Sequence, residues 1–225
     1  MTNRAIVVLS GGQDSTTCLG VALKECTYVE AVIYDYGQKH RIEIDAALKI
    51  CAAYGIDFTL IDLKPVLSNM KSSALVTHGD TTQPHEYLKN LPASFVPVRN
   101  VLFLSIAYGL AMEHKLNRIY AGMCQTDYSG YPDCRYAFIS DLNLTLNEGY
   151  DSDIQILTPL MFLTKAQTFA LAEEVGILKD VLDNSITCYE GVTTMNAWGM
   201  GCGECPACKL RAKGWKEFTG EYESS

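Results

Sequence analysis

The segment AIVVLSGGQDSTT, residues 5–17, is the most informative part of this sequence for predicting its fold. Its first five residues are apolar and rich in β-branched side chains, which is typical of a strand buried on both faces of a parallel sheet. Two adjacent glycines follow, and a helix is predicted over residues 14–24. The segment therefore predicts a strand, a tight turn and a helix, the opening of a βαβ unit.

The same alternation continues along the chain. Strands are predicted at residues 29–34 and 58–63, and a helix is predicted at residues 42–54 with Gly55 as its C-cap. A βαβαβ pattern specifies a doubly wound α/β fold, in which helices cover both faces of a parallel sheet. Ligands of such folds bind at the carboxyl ends of the strands.

Residues 64–98 interrupt the alternation of strands and helices. They contain four prolines and predict a long loop insertion or lid. Regularity resumes with helices at 100–114, 136–147 and 165–174 and strands at 118–123 and 154–157. No repeat or linker divides the chain, so a single domain is expected over residues 1–225. Residues 1–180 would form its nucleotide-binding α/β body, and residues 181–225 would form a metal-binding C-terminal segment.

The composition indicates one globular domain that acts on a small molecule. The chain has 225 residues, 48% of them apolar and 20% charged, and a net charge of −8. An acidic balance argues against a broad contact with nucleic acid, whose affinity comes largely from clustered lysine and arginine. No apolar run is long enough for a membrane span or signal peptide. A soluble, cytoplasmic protein with neither nucleic acid nor membrane partners is expected.

The turn after the first predicted strand has the features of a phosphate-binding loop. Glycines allow successive backbone N–H groups to point at an anion, and the start of the following helix adds its positive dipole end. The hydroxyl groups of Ser10, Ser15 and Thr16 can donate further hydrogen bonds, and Asp14 is a candidate Mg²⁺ ligand. The structural alternative is a Gly-Gly turn in which a serine or aspartate only caps the helix.

Four of the nine cysteines crowd into the last part of the chain. Cys188, Cys202, Cys205 and Cys208 have the spacing C-x13-C-x2-C-x2-C. Four thiolates satisfy a structural Zn²⁺, which would tie down the C-terminal segment and leave no open position for catalysis. An iron–sulfur cluster, a redox C-x-x-C pair and inert thiols remain as alternatives.

Several motifs resemble known families. Residues 10–15, SGGQDS, resemble the S-G-G-x-D-S loop of the ATP-pyrophosphatases (PP-loop proteins), which split ATP into AMP and pyrophosphate. The loop differs from a Walker loop because it has no lysine and its glycines are adjacent. Together with residues 35–41, 95–100, 126–135 and 158–160, Lys165 and the cysteines, it resembles the 7-cyano-7-deazaguanine synthase (QueC) family over nearly the whole chain.

This resemblance implies a fold, an activity and cofactors. The fold would be similar to that of adenine nucleotide α-hydrolases. The activity would be the conversion of 7-carboxy-7-deazaguanine, ammonia and ATP to the nitrile, by way of an adenylated carboxylate and an amide, in queuosine-type biosynthesis. The expected cofactors are one structural Zn²⁺ and Mg²⁺ with ATP, and the expected assembly is a homodimer.

The resemblance also implies site residues. ATP is expected to contact Val8, Leu9, Ser10, Gly11, Gly12, Gln13, Asp14, Ser15, Thr16, Thr17 and Cys18. Catalytic roles are expected for Asp14, Lys165 and Asp127. The substrate is expected to contact Tyr36, Gln38, Arg41, Arg99, Asn100, Asp127, Tyr131, Asp133 and Arg135.

The chemistry of these residues fits such roles. A planar guanidinium grips a carboxylate or phosphate at two points, and Asp127 or Asp133 can accept hydrogen bonds from the N–H groups of a guanine-like base. Tyr128 or Tyr131 can stack on its ring. Lys165 opens a helix, where its charge is unfavourable for the helix dipole, which hints at a ligand such as pyrophosphate.

Several of these residues have structural alternatives. Asp35 and Asn100 can cap helices, Tyr36 and Tyr131 can pack in the core, and any single arginine can form a surface salt bridge. Two other functions remain open. Another ATP-pyrophosphatase, such as a tRNA thiolase or an amide-forming ligase, would share the loop. A zinc-ribbon interaction module on an inert α/β domain would turn over no ATP.

Overall fold

The computed structural model describes residues 2–68, 91–92, 94–126 and 131–221. A parallel sheet lies at its centre. Its strands are β1 (Arg4–Val8), β2 (Tyr28–Asp35), β3 (Phe58–Asp62), β4 (Arg118–Tyr120) and β5 (Gln155–Leu157). The five strands pair in parallel in the order β3-β2-β1-β4-β5. This order confirms the predicted doubly wound α/β fold.

Helices pack on both faces of the sheet. They are α1 (Gln13–Glu25), α2 (Ile42–Tyr54), α3 (Lys64–Leu67), α4 (Arg99–Glu113), α5 (Tyr136–Tyr150), α6 (Lys165–Glu174), α7 (Leu178–Asp183) and α8 (Pro206–Thr219). A short 3-10 helix covers Pro132–Cys134, and strands β6 (Met195–Asn196) and β7 (Gly199–Met200) form a separate antiparallel pair. Within the described ranges, no helix combines the length and apolarity that crossing a bilayer demands.

Two hydrophobic cores sandwich the sheet, and β1 contributes to both. Ala5 and Val7 belong to the core shared with α1, α2 and α6, whereas Ile6 and Val8 belong to the core shared with α4 and α5. Successive strand side chains point to opposite faces, so a strand that is apolar from Ala5 to Val8 is expected to be buried on both sides. The continuous apolar run of the sequence thus explains the central place of β1.

The predicted elements agree well with the structure, with a few differences at their ends. Helices α2 and α6 begin and end at the predicted residues. The predicted strand 118–123 is longer than β4, which pairs with its neighbours only as far as Tyr120. Of the predicted insertion at 64–98, residues 64–67 form α3 and most of the rest lies outside the described residues.

Candidate active site

The loop between β1 and α1 lies where the order of the sheet reverses. The chain leaves β1 toward β2 on one side, and the later strand β4 pairs with β1 on the other. Connections that depart in opposite directions leave a crevice at the carboxyl ends of the two strands, which is the usual ligand site of such sheets. Here the loop opens into a cavity of about 630 Å³. The position predicted for the site is therefore a real cavity.

The shape of this loop depends on Gly11. Its φ is +82°, and a Cβ atom at this position would lie 2.2 Å from the carbonyl oxygen of Glu43 in α2. Only glycine avoids both the left-handed strain and the collision. The close approach of α2 to the loop is therefore built into the sequence.

Backbone N–H groups of the loop are held by hydroxyl oxygens. The N–H of Ser10 donates to Ser15 Oγ at 3.1 Å, and the N–H of Gly12 donates to Ser10 Oγ at 3.3 Å. The N-cap of α1 is Gly12, which makes no side-chain capping bond. The alternative in which a serine or Asp14 caps this helix is therefore not observed, and the positive end of α1 faces the cavity.

Asp14 and Lys165 form an ion pair at the cavity wall. Lys165 Nζ donates to both carboxylate oxygens of Asp14, at 2.7 Å each, although the residues lie 151 positions apart. Lys165 is the first residue of α6, and it lies between Thr164 and Gln167, which form the capping box of that helix. Its side chain is only 7% exposed. The capping box fixes where the helix starts and so places this amine beside the loop.

The opposite wall of the cavity carries Arg99 among tyrosines. Its guanidinium carbon lies 5.8 Å from the centre of the Tyr36 ring. Burial disfavours the charged form of Arg99. Electrostatic interactions with the neighbouring Tyr36 and Tyr131 favour that form more strongly, so the pKa of Arg99 is raised. Among the described residues, its buried Nε has no hydrogen-bond partner. A permanent cation with an unused donor suits a carboxylate or phosphate ligand.

Tyr131 and Asn100 frame the same wall. The hydroxyl groups of Tyr131 and Ser94 lie 2.5 Å apart. Asn100 Nδ2 donates to Cys134 Sγ at 3.4 Å, so this residue joins α4 to the segment that precedes α5 rather than capping its helix.

Glu43 also lines the cavity, and the sequence did not single it out. Burial raises the pKa of its carboxyl group to about 7, although Arg99 acts in the opposite direction. The sequence signal for Glu43 is its position in the first turn of α2, the helix that follows the carboxyl end of β2, where ligands bind.

The structure brings many of the predicted site residues together. Those that line the cavity are Val8, Leu9, Ser10, Gly12, Gln13, Asp14, Ser15, Tyr36, Gln38, Arg99, Asn100, Tyr131 and Lys165. Those that lie outside its lining are Gly11, Thr16, Thr17, Cys18, Arg41, Asp133 and Arg135. Asp127 and Tyr128 lie outside the described residues.

Local contacts explain several of the residues outside the lining. The hydroxyl groups of Thr16 and Thr17 donate to the carbonyl oxygens of Gly12 and Gln13 within α1, at 2.8 and 2.9 Å. Cys18 is fully buried in the core beneath that helix. Arg41 and Arg135 are exposed.

Several lining residues that the sequence analysis did not assign to the site come from two regions. Lys39, His40 and Glu43 follow β2, and Thr187, Tyr189, Lys209 and Lys213 belong to the C-terminal segment. The sequence predicted that segment as a metal-binding unit separate from the nucleotide-binding body, yet its helix α8 forms part of the cavity wall.

The four predicted metal ligands converge. The sulfur atoms of Cys188, Cys202, Cys205 and Cys208 all lie within 4.8 Å of one another. Cys202 Sγ and Cys208 Sγ are 3.8 Å apart, which matches the roughly 3.8 Å edge of a tetrahedron with Zn–S bonds of about 2.3 Å. The set therefore fits a single tetrahedral ion.

Backbone donors prepare this cluster for a metal. The N–H groups of Glu204 and Cys205 both donate to Cys202 Sγ at 3.3 Å. Burial opposes ionisation, but these donors prevail and lower the pKa of Cys202 to about 7. A thiolate at neutral pH is the form that binds metal.

Comparisons with known proteins give consistent results. The family model described as queuosine biosynthesis protein QueC matches residues 4–219. The 7-cyano-7-deazaguanine synthase of Wolinella succinogenes is 50% identical over 220 residues, covering 96% of this chain and 94% of that protein. The 7-cyano-7-deazaguanine synthase of Clostridium botulinum (strain 657 / Type Ba4) is 46% identical over 219 residues, covering 97% of each.

A solved structure shares the fold at low sequence identity. It is a 4-thiouridine synthetase in complex with RNA and bound ATP, with a TM-score of 0.56 and 16% identity. The match covers 97% of this chain and 53% of that one. At this identity the similarity concerns the fold alone.

Proposed function

Because this chain belongs to the QueC family of 7-cyano-7-deazaguanine synthases, we propose that it converts 7-carboxy-7-deazaguanine, ammonia and ATP into the nitrile in queuosine biosynthesis. The observation that carries this proposal is the loop of residues 10–15 opening into a cavity of about 630 Å³ beside the Asp14–Lys165 pair. A phosphate-binding loop, a cation and a carboxylate at one edge of the cavity suit the transfer of AMP to a substrate oxygen.

The first step would be adenylation of the carboxylate. A carboxylate oxygen attacks the α-phosphorus of ATP, the bond to the bridging oxygen breaks and pyrophosphate leaves. The positive end of α1 and the amine of Lys165 would stabilise the negative charge that builds up on the phosphates. Mg²⁺, which Asp14 would help to hold, would neutralise further charge on them.

The remaining steps would require the same site to carry out a second adenylation. Ammonia attacks the acyl carbon, AMP departs with the oxygen that it activated, and the amide results. The amide oxygen then attacks the α-phosphorus of a second ATP and displaces pyrophosphate. Loss of AMP with that oxygen, together with the two protons of the amide nitrogen, leaves the nitrile. Two ATP molecules are therefore expected for each product.

The opposite wall would bind the deazapurine acid. Arg99 offers an unused buried donor and a permanent charge for the carboxylate, and the rings of Tyr36 and Tyr131 flank it. Gln38 also lines this wall. We propose that Asp127 and Asp133 complete the recognition of the base.

The cysteine cluster would hold Zn²⁺ in a structural role. Its sulfur atoms lie within 4.8 Å of one another, which suits one ion, whereas a cluster of several irons would hold its thiolates farther apart. Four protein ligands leave no position for a reacting group. None of the nine cysteines, all of which lie in the described residues, forms a disulfide, which supports a reducing, cytoplasmic location. The functional assembly would be a homodimer.

Mass spectrometry tests the proposed reaction. The protein is incubated with 7-carboxy-7-deazaguanine, ammonium, ATP and Mg²⁺, and the acid, amide and nitrile are followed together with AMP. We expect the nitrile, with two AMP per nitrile, and accumulation of the amide when ATP is limiting. The absence of both AMP and nitrile with the wild-type protein would contradict the proposal.

A variant of Asp14 and a matched control at the other end of α1 test the role of the loop in AMP formation. Asp14→Asn keeps the size of the side chain but removes its charge, and its rate of AMP formation should fall by about 100-fold or more. Lys24→Ala removes a lysine at the other end of α1, where an exposed pair with Glu174 at 3.3 Å lies far from the loop, and should change the rate little.

A further inference from the structure

Thr187 is a cavity-lining hydroxyl beside the phosphate-binding loop. Its Oγ1 accepts a hydrogen bond from the backbone N–H of Gln13 at 3.3 Å. The backbone N–H of the preceding residue, Ile186, donates to the carbonyl oxygen of Gly11 at 2.9 Å. The chain just before the cysteine cluster therefore runs directly alongside the loop, and Thr187 faces the cavity from that position.

Arg211 holds Thr187 from the other side. Its Nη1 donates to Thr187 Oγ1 at 3.1 Å, its Nε donates to the carbonyl oxygen of Trp198 at 2.9 Å and its Nη2 donates to that of Val181 at 2.6 Å. The side chain is 0% exposed. Gly199 leaves it room, since a Cβ atom there would lie 2.4 Å from Nη2. Three bonds in fixed directions leave this guanidinium one orientation.

These contacts determine which way the hydroxyl of Thr187 can donate. A hydroxyl group has one hydrogen to donate and two lone pairs that accept. A backbone N–H and a guanidinium can only donate, so Gln13 and Arg211 occupy the two lone pairs. In the part of the chain that the structure describes, no hydrogen bond uses the hydroxyl hydrogen of Thr187. That hydrogen is left for an acceptor in the cavity.

We propose that Thr187 is a phosphate-binding residue of the nucleotide site, and that Arg211 is the residue that positions it as a donor. The inference rests on the proposed function for the identity of the ligand, the phosphate groups of ATP. The hydroxyl lies next to the N–H of Gln13 at the positive end of α1, where a phosphate oxygen would bind. A hydroxyl whose lone pairs are both occupied is oriented before the ligand arrives, so little free energy is lost in orienting it.

Binding experiments with Thr187 variants test the proposal. Affinities for Mg²⁺-ATP, Mg²⁺-pyrophosphate and adenosine are measured by calorimetry for the wild type, Thr187→Val and Thr187→Ser. Loss of a hydrogen bond to a charged group should weaken binding of ATP and pyrophosphate about 10-fold or more in Thr187→Val. Thr187→Ser keeps the hydroxyl and should bind within about threefold of the wild type.

Adenosine separates phosphate binding from a general distortion of the site. It lacks phosphates, so Thr187→Val should bind it as the wild type does. Unchanged affinity of Thr187→Val for ATP and pyrophosphate, or an equal loss for adenosine, would overturn the proposal. Failure of the wild type to bind ATP or pyrophosphate would instead contradict the proposed function. Thr168→Val is the matched control, because its buried hydroxyl donates to the carbonyl oxygen of Thr164 at 3.1 Å and, as far as the described residues go, makes no other hydrogen bond and does not line the cavity.

A double-mutant cycle tests the role of Arg211. Lysine cannot bond three separated acceptors as a guanidinium does, so Arg211→Lys should weaken ATP binding while adenosine binding and the metal content stay unchanged. If Arg211 acts through Thr187, Arg211→Lys combined with Thr187→Val should bind no more weakly than Thr187→Val alone. Additive losses would overturn the positioning role of Arg211, and so would wild-type ATP affinity in Arg211→Lys.

Discussion

At the scale of single residues, Glu43 shows how burial links stability to pH. Burial raises the pKa of its carboxyl group from 4.5 to about 7, because the cavity wall disfavours the charged form. The folded state therefore binds this proton more tightly than the unfolded chain does. Protonated Glu43 therefore contributes its full share to the stability of the fold below the unfolded pKa of 4.5. This contribution is lost as the pH rises through the folded pKa of about 7.

Replacing Glu43 by glutamine removes this titration. We expect Glu43→Gln to raise the melting temperature relative to the wild type by a few degrees at about pH 8 and to change it little near pH 4. Melting curves across that range measure the difference. Glu148→Gln, at an exposed position of α5, is the control and should show no such trend. A lower melting temperature for Glu43→Gln at high pH would contradict the assigned cause.

At the scale of elements, the contact between α6 and α8 depends on Gly214. A Cβ atom at this position would lie 2.3 Å from the Cβ atom of Lys165 and 3.0 Å from its carbonyl carbon. The absence of a side chain lets α8 approach the start of α6, where Lys165 pairs with Asp14. The packing of two helices thus positions an amine of the site.

Gly214→Ala should force these helices apart. We expect a loss of stability of about 1–3 kcal/mol from overpacking, together with slower AMP formation because Lys165 shifts. Denaturant unfolding and the AMP assay measure the two effects. Gly109→Ala in α4 meets no atom within 4 Å and should gain up to about 1 kcal/mol from helix propensity. If both variants were equally stable, the steric explanation would fail.

At the scale of the whole molecule, the cysteine cluster and the cavity form one unit. Cys188 follows Thr187 directly, and Cys205 and Cys208 bracket the start of α8, whose residues Pro206 and Ala207 line the cavity. A bound ion would therefore hold a wall of the active site as well as the C-terminal segment.

Removing one ligand should affect both regions. Cys205→Ser should reduce bound zinc from about one equivalent per chain to nearly none, lower the melting temperature and weaken ATP binding. Elemental analysis, thermal unfolding and calorimetry measure the three effects. Cys26→Ser alters a half-buried thiol outside the cluster and should keep its metal. Full metal content in Cys205→Ser would show that other groups bind the ion.

Much of the fold was readable from the sequence because its signals are local. The C-cap of α2 at Gly55, with φ +61°, and the capping box of α6 act within a few residues, so both helices were predicted with their correct bounds. Strand β4 was predicted too long, because apolar residues continue past Tyr120 although strand pairing stops there. Residues beyond Tyr120 are still buried although they no longer pair with neighbouring strands. An apolar sequence pattern indicates burial, and it does not show where strand pairing ends.

The parallel sheet, the loop of residues 10–15 and the cysteine set were predictable without coordinates, since each is encoded by adjacent residues or by a fixed spacing. Three features needed the folded chain to be seen: the pairing of Lys165 with Asp14, the hydrogen bond from the N–H of Gln13 to Thr187, and the place of α8 in the cavity wall. The partners in the two hydrogen bonds are separated by 151 and 174 positions. Chain periodicity reports which face of an element is buried, and it carries no information about which distant residue will lie against that face.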